Sequence, residues 1–389
     1  MQLIPVFDKS TARQFLDLSA WIHRDNPEWI RPLDKDIEEV FDPVSNKLFR
    51  QKENQCARWL LQEESGRVVG RIAAFVNKKY RNRGDEVPVG GIGFFECIDD
   101  QKAADMMFDH ARDWLAKHGM EAMDGPINFG ERDRWWGLVV EGFHAPLYCM
   151  NYNPPYYQKL FENYGFRLYF NQVCFALKVR DDLQQKFYTR HAQIAADPDF
   201  HAEYFRKKDA DKYASDFCTV YNMAWAGHGG NKSLELRQAK NIVKSMLPVI
   251  DESVIWFVYH KGDPVACWMN LPDLNQWFKH LHGKFGFWSK LKFLWVKRFA
   301  RNARIVGLVF GVVPEFQGKG IDAYMIVEGA RRIQREMKYE DYEMQWIGDF
   351  NPKMINIAEN LGTVRSRRLV TYRYLFDRSR EFSRHPMIG

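Results

Sequence analysis

The stretch VVPEFQGKGIDAYMI, from Val312 to Ile326, places closely spaced glycines between an apolar run and an amphipathic helical pattern. Glycines at the mouth of a helix let the backbone approach a ligand, and the free N–H groups of the first helical turn attract phosphate. The stretch therefore predicts a strand that ends near Val313, a phosphate-binding loop, and a helix over 322–338.

Two nucleotide-binding motifs are alternatives for this loop. The triphosphate loop needs Lys followed by Ser or Thr, whereas Lys319 is followed by Gly320, so that motif is excluded. The run from Gly318 to Ala323 matches the dinucleotide pattern GxGxxA, and this alternative stays open. Against it, too few residues follow Gly320 to complete a six-stranded dinucleotide domain.

The chain contains an internal duplication. Residues 153–166 (NPPYYQKLFENYGF) and 351–363 (NPKMINIAENLGT) both open with Asn-Pro, continue as a short helix and end in Glu-Asn-x-Gly. An aromatic and β-branched strand follows each copy. The sequence predicts an α/β (α+β) protein of two similar domains, each a mixed, mostly antiparallel sheet with one parallel strand pair, flanked by helices. We expect a domain at 1–180, a connecting helix at 181–199 and a second domain at 200–389.

Composition limits the classes of partner. Of the 389 residues, 46% are hydrophobic, which suffices for packed cores, and a net charge of +6 is too small to indicate nucleic-acid binding. The six cysteines are scattered, without metal-ligand spacing. The N-terminus lacks a signal-peptide pattern, and no apolar run reaches the about 20 residues of a membrane span. We expect a cytoplasmic protein without a metal.

The Val312-Val-Pro314 ending and the loop Gln317-Gly-Lys-Gly320-Ile-Asp322 resemble the coenzyme A loop of the GNAT (Gcn5-related) acyltransferases. Over nearly its full length the chain resembles tandem GNAT proteins, a group that includes Fem-type aminoacyl transferases and myristoyltransferases. The likeness to bacterial N-acetyltransferase-like proteins is strongest at 125–166 and 314–326. The resemblance implies that acetyl-CoA or a longer acyl-CoA is the co-substrate and binds the C-terminal half.

The implied coenzyme-binding residues are Val312, Val313, Gln317, Gly318, Lys319, Gly320, Ile321, Asp322, Ala323 and Asn351. Asp322 departs from the family pattern, which has Gly or Ala at that position, and Ala323 fills the role if the loop is shifted by one residue. In the first half the corresponding stretch 97–105 (CIDDQKAAD) has no glycine, and its carboxylates would repel a pyrophosphate. That half is therefore expected not to bind the coenzyme.

We expect a coenzyme A-dependent N-acyltransferase that acts on a small-molecule or lipid-like amine in a pocket between the halves. The catalytic candidates are Asp349, His228 and Tyr324, with Glu315 and Glu343 considered beside them. Each has a structural alternative: a helix-cap network for Asp349, plain surface for His228 and core packing for Tyr324. The tyrosine that many GNAT enzymes use as an acid matches Ala358 and Phe161 here, so it does not carry over.

Two further segments are candidates for substrate contact. Residues 277–304 hold eight Lys or Arg, and no acidic residue occurs from 274 to 314. Trp288, Leu291, Trp295 and Phe299 recur there at helical spacing, which predicts peripheral membrane contact or a lipid groove; the alternative is a helix packed on its own domain. The stretch GERDRWWG within 125–150 predicts a lid or a wall of the pocket between the halves, formed by Arg132, Arg134, Trp135 and Trp136; the alternative is a surface excursion. The alternative functions are a non-catalytic acyl-CoA- or lipid-binding protein and a Fem-type aminoacyl transferase.

Overall fold

The computed structural model describes residues 1–82, 84–225 and 233–388, and the elements below lie within these ranges. The strands are Gln2–Pro5 (β1), Gln55–Gln62 (β2), Val68–Val76 (β3), Val89–Cys97 (β4), Ala122–Gly125 (β5), Leu138–Glu141 (β6), Arg167–Lys178 (β7), Phe200–Tyr204 (β8), Trp256–His260 (β9), Asp263–Pro272 (β10), Arg304–Val312 (β11), Asp341–Met344 (β12), Ile347–Gly348 (β13) and Val364–Leu375 (β14). The α-helices are Lys9–Ile22 (α1), Asp34–Phe41 (α2), Gln101–Lys117 (α3), Tyr157–Tyr164 (α4), Gln185–Ala195 (α5), Ala210–Trp225 (α6), Leu236–Met246 (α7), Asn275–Phe278 (α8), Phe287–Phe299 (α9), Ile321–Glu336 (α10) and Pro352–Asn360 (α11).

The strands form one sheet in the order β1-β2-β3-β4-β5-β14-β7-β12-β11-β10-β9-β8. The strand pairs β4–β5 and β11–β12 are parallel, while their neighbours pair antiparallel. Each half thus contains one parallel pair within a mostly antiparallel arrangement, which confirms the predicted fold class. Short turns join β2 to β3 and β9 to β10, and helices α3 and α10 cross over between the parallel strands.

The last strands of the two halves change places. The terminal strand of the first half, β7, pairs with β12 of the second half, whereas β14 at the end of the chain pairs with β5 of the first half. β7 and β14 also pair with each other, from Val364 opposite Ala176 to Arg373 opposite Arg167. Each half therefore completes its sheet with a strand from the other. The division of the chain into domains at 1–180 and 200–389 stays a prediction.

Each half has an apolar core between its helices and the sheet. In the first half α3 packs on β3 and β4 around Leu61, Met107 and Phe108, which are fully buried. In the second half α10 packs on β9 and β10 around Phe257 and Met325. Burial of each such side chain contributes about 1.5–3 kcal/mol of hydrophobic free energy.

The connecting helix is shorter than the predicted 181–199. α5 ends at Ala195 because Pro198 follows, and the residue before a proline avoids the helical conformation. α5 packs along α10, where Phe187 contacts Ala323 in a small apolar cluster. The connection between the halves therefore also supports the helix that follows the glycine loop.

Candidate functional site

The loop between β11 and α10 has the backbone that its glycines predict. Gly318 and Gly320 have φ angles of 75° and 91°, in the left-handed region that favours glycine. α10 begins at Ile321, and no side chain in the described ranges caps it. The Gln317 side chain donates a hydrogen bond to the Val312 carbonyl at 2.9 Å and ties the loop to the strand end. The first N–H groups of α10 are thus left for an anion.

The parallel strands β11 and β12 separate beside this loop. They pair only from Arg304–Asp341 to Gly307–Met344, and a final bond joins the Gln345 N–H to the Gly307 carbonyl. We call this point of separation the fork. The Val313 N–H donates to the Val265 carbonyl of the neighbouring segment, at 2.9 Å. Because an antiparallel ladder alternates, the N–H groups of Phe310 and Val312 face the open side of the fork.

An apolar groove of about 550 Å³ occupies the fork. Its walls come from β11, α10, α11 and β7, with Trp225 of α6 at one side. Asn351 lines the groove and caps α11 by accepting a hydrogen bond from the Met354 N–H at 3.3 Å. Ala358, where the family's tyrosine would lie, is buried in the groove wall. The volume is in the range of small-molecule sites.

These features fit an acyl-coenzyme A molecule in three places. The helix N-terminus with its glycines suits a pyrophosphate, the open strand edge suits the amide-bearing pantetheine arm, and the apolar groove suits an acyl chain. Two side chains supply positive charge at the loop. Lys319 belongs to the loop itself, and the Cβ of Arg190 lies 3.4 Å from the position that a Cβ on Gly320 would occupy. Ala323 is buried against α5, whereas Asp322 is partly exposed in the first helical turn.

Two solved structures share the fold of this chain. A tandem GNAT protein from the clavulanic acid biosynthesis pathway superposes with a TM-score of 0.52 over 96% of this chain and 98% of its own, at 14% identity. A GCN5-related glucosamine N-acetyltransferase region of a fungal multi-domain β-N-acetylglucosaminidase superposes at 0.53 over 96% of this chain and 38% of its own, at 12% identity. The chain has a tandem GNAT fold.

Two curated proteins are similar in sequence over nearly the whole tandem GNAT chain. The bacterial ceramide synthase of Caulobacter vibrioides is 27% identical over 378 residues, which cover 93% of this chain and 94% of that protein. Protein YghO of Escherichia coli is 24% identical over 370 residues, which cover 91% of this chain and 90% of that protein. No protein-family model matches the chain.

The first GNAT half differs at the corresponding point. Its parallel strands also separate, but Ile127 fills the gap by donating its N–H to the Ile92 carbonyl at 2.7 Å. The cavity that remains nearby is about 70 Å³ and is partly lined by Arg71, Glu96 and Trp135. Asp100 caps α3, so a carboxylate occupies the place of the glycine loop. Trp135 and Trp136 are buried and form no exposed lid.

Two of the three predicted catalytic residues, Tyr324 and Asp349, lie outside the groove of the second half. Tyr324 is buried beside the His191 ring, with ring centres 5.3 Å apart, and burial raises the pKa of its hydroxyl. Asp349 accepts hydrogen bonds from the Asn171 side chain at 2.7 Å and from Arg384 at 2.6 Å. Neither lines the groove, and His228 lies outside the described residues. Their catalytic roles stay predictions.

A buried charged cluster lies beside the fork and includes Glu343, a residue considered from the sequence. Its carboxylate accepts hydrogen bonds from Arg304 at 3.1 Å and Ser366 at 3.0 Å, and lies 3.2 Å from His144 Nε2. Burial opposes ionisation, but the His144 hydrogen bond and the charges of Arg367 and Arg304 lower the pKa of Glu343. Sequence analysis missed His144, which is 199 positions away from Glu343.

A local signal for His144 is the preceding glycine. Gly142 has a φ of 75°, and a Cβ there would clash with the Ser366 carbonyl on β14. This close approach places the segment that carries His144, two positions after Gly142, against β14.

Helix α9 exposes a continuous apolar face. Trp288 is 78% exposed and Trp295 63% exposed, and the other large apolar residues exposed along it are Phe287, Leu291, Leu294 and Phe299. The other side of the helix carries Phe293 and Val296, which pack on Trp277 and Phe278. All four residues that suggested a membrane-surface helix therefore point outward. No helix within the described ranges has the length and hydrophobicity to cross a bilayer.

The described residues contain no group of three His, Cys, Asp or Glu side chains placed to hold a metal ion. All six cysteines are unpaired. Burial raises the pKa of the Cys149 and Cys267 thiols to about 12.

Proposed function

We propose that this protein is an acyl-CoA-dependent N-acyltransferase that moves an acyl group from acyl-CoA to the amine of a lipid-like acceptor. The observation that carries the proposal is the glycine loop at the start of α10, because β11 and α10, the two elements that it joins, both line the apolar groove beside the unpaired part of β11. The coenzyme binds the second half, with Gln317, Gly318, Lys319 and Gly320 around its pyrophosphate. The carbonyl groups of its pantetheine arm accept hydrogen bonds from the N–H groups of Phe310 and Val312.

The reaction pocket lies where the two halves meet. Leu177 and Val179, at the end of β7 and just after it, form one wall of the groove, although β7 begins in the first half of the chain. The groove accepts an acyl chain longer than acetyl, because its lining is mainly apolar and its volume exceeds that of an acetyl group severalfold. We therefore infer a long-chain acyl-CoA as donor, with acetyl-CoA as the weaker one.

We infer that the acceptor is the amine of a long-chain base. A ceramide is by definition an N-acylated sphingoid base, and a relative similar over nearly the whole chain is named a bacterial ceramide synthase. A sphingoid base is an amphiphile that partitions into membranes, so an enzyme that acts on it gains from contact with a lipid surface. The unpaired cysteines and the use of acyl-CoA support a cytoplasmic location.

We propose that the exposed face of α9 makes this contact with an anionic membrane. Tryptophan and phenylalanine favour the bilayer interface, where an apolar ring is buried beside lipid headgroups. Lys290, Lys292 and Arg298 lie on the same helix, and no acidic residue occurs between 274 and 314 to offset their charge. An apolar helix face with cations beside it is complementary to an anionic lipid surface.

The test is an acyl-transfer assay with purified full-length protein. Acetyl-CoA and palmitoyl-CoA are each offered with sphinganine, with a short-chain amine and without an amine, and the N-acyl product is measured by mass spectrometry. We expect N-palmitoyl sphinganine to form fastest. Acyl-CoA binding without transfer to any amine would favour a non-catalytic acyl-CoA-binding protein. Transfer from aminoacyl-tRNA instead would favour the Fem-type alternative.

A further inference from the structure

The pair of His144 and Glu343 has the arrangement of an oriented histidine base. Glu343 is buried, and its Oε1 lies 3.2 Å from Nε2 of His144, whose side chain is 40% exposed. A neutral imidazole that donates Nε2–H to a carboxylate keeps Nδ1 as a free acceptor. Among the described residues Nδ1 has no hydrogen-bond partner, so this acceptor is available to a ligand.

The pair lies beside the fork. Glu343 is opposite Val306 in the parallel pair, one position before the last paired residues of β11 and β12. Its strand neighbours Tyr342 and Met344 line the groove, so Glu343 points to the other face of the sheet. Trp346 joins the two sides, since it lines the groove and also packs with Phe143 against one apolar cluster.

The loop that carries His144 is held by four hydrogen bonds. The Ala145 carbonyl accepts hydrogen bonds from Arg304 at 3.1 Å and Arg367 at 3.0 Å, and the Ala145 N–H donates to Glu28 at 2.8 Å. Asn275, in the segment that leads to α9, donates to the Pro146 carbonyl at 2.9 Å. The loop is thus fixed on the sheet and contacts the segment that leads to the exposed apolar helix α9.

We infer that His144 is the proton acceptor for the substrate amine and that Glu343 positions it, an assignment that rests on the proposed N-acyltransfer. The amine arrives as an ammonium ion and gives one proton to Nδ1 of His144. Its freed lone pair forms the C–N bond as the C–S bond of the thioester breaks. The departing thiolate takes the second proton that the nitrogen loses, and His144 returns the first proton to solvent.

The surrounding charges suit this exchange. Arg304 and Arg367 face the pair from β11 and β14, while Asp273 binds Arg304 at 2.7 Å and Glu28 contacts the loop. The positive charges of Arg304 and Arg367 are thus balanced by the negative charges of Glu343 and Asp273 within the buried cluster. Among the described residues, Glu343 is the one carboxylate in contact with the imidazole.

Arg367 is the second guanidinium beside the pair. It is 2% exposed, and its Nε lies 3.8 Å from Oε1 of Glu343. Its charge lowers the pKa of Glu343 and so helps to keep the carboxylate that positions His144 ionised.

The experiment compares His144→Asn with the wild type and with the control His201→Asn, an exposed histidine on β8. We expect His144→Asn to lower kcat/KM for N-acyl transfer about 10²–10⁴-fold near pH 7. Calorimetric binding of palmitoyl-CoA should be unchanged, because the pair lies outside the groove. The deficit should shrink toward high pH, where the amine loses its proton unaided, and added imidazole should restore part of the rate. The His201→Asn variant should match the wild type.

Three outcomes would contradict the role of His144, and they differ in whether the proposed N-acyl transfer is also refuted. His144→Asn with the wild-type rate and pH profile would refute the assignment of His144 while leaving N-acyl transfer intact. A rate loss without imidazole rescue or a changed pH profile would make His144 structural and refute its role as a base. A wild type that binds palmitoyl-CoA but acylates no amine would overturn both proposals.

Discussion

At the residue scale, Glu343 shows how one carboxylate can serve stability and function together. It is the shared partner of Arg304, Arg367, Ser366 and His144, which come from three separate segments of the chain. Removing one partner of a buried ion pair leaves the other charge uncompensated, which typically costs about 3–5 kcal/mol. The residue therefore ties β12 to β11, to β14 and to the His144 loop.

We predict that Glu343→Gln lowers the free energy of unfolding by about 3 kcal/mol at pH 7. The folded-state pKa of Glu343 is lowered, so its stabilisation is complete above the usual value of 4.5 and is lost as the pH falls through the folded-state value. Urea unfolding of both proteins at pH 7 and at pH 3 measures this, with the exposed Glu315→Gln as control. A deficit of equal size at both pH values would contradict the prediction.

At the scale of elements, the sequence was informative wherever a pattern is local. The glycine loop, the Asn-Pro helices and the hairpins are each encoded within about 20 residues, and their order was sufficient to predict the tandem fold. The exchange of β7 and β14 was not predictable, because both are similar aromatic strands that fit either sheet position equally well. The approach of His144 to Glu343 depends on that exchange, since the loop rests on β14.

The outward face of α9 was only half predictable. Spacing placed Trp288 and Trp295 on one side of a helix, but spacing alone does not reveal which side meets the protein. The core beneath α9 is instead built from Phe293 and Val296 with Trp277 and Phe278 of the preceding segment. Only tertiary structure distinguishes that buried side from the exposed one.

We predict that Trp288→Glu combined with Trp295→Glu weakens binding to phosphatidylglycerol vesicles at least tenfold, because two interface anchors become charged. Co-sedimentation with vesicles measures the binding, which should also fall as salt is added. The control changes two exposed apolar residues elsewhere, Phe7→Glu and Val44→Glu. Unchanged binding of the α9 variant would refute the membrane-docking face.

At the scale of the whole molecule, the strand exchange couples the two halves. Removing β14 would expose edges of both β5 and β7, so neither half can retain its sheet once the other unfolds. The groove also depends on both, since its walls combine β7 with β11 and α10.

We predict that the chain unfolds in one cooperative transition. Leu61→Ala in the first core and Phe257→Ala in the second should each destabilise it by about 2–5 kcal/mol and should shift the same transition. Circular dichroism and tryptophan fluorescence during urea unfolding should give coincident curves for all three proteins. Two separated transitions, each moved by only one substitution, would show that the halves are independent.

The central claim is that the glycine loop and fork of the second half bind acyl-coenzyme A. The direct measurement is calorimetric titration of acetyl-CoA and palmitoyl-CoA into the wild type and into Gly320→Glu. Glutamate places a side chain and a negative charge at a left-handed position beside the expected pyrophosphate. We predict that the wild type binds both ligands, palmitoyl-CoA more tightly, and that Gly320→Glu binds neither while remaining folded by circular dichroism. Failure of the wild type to bind either ligand, or undiminished binding by folded Gly320→Glu, would contradict the claim.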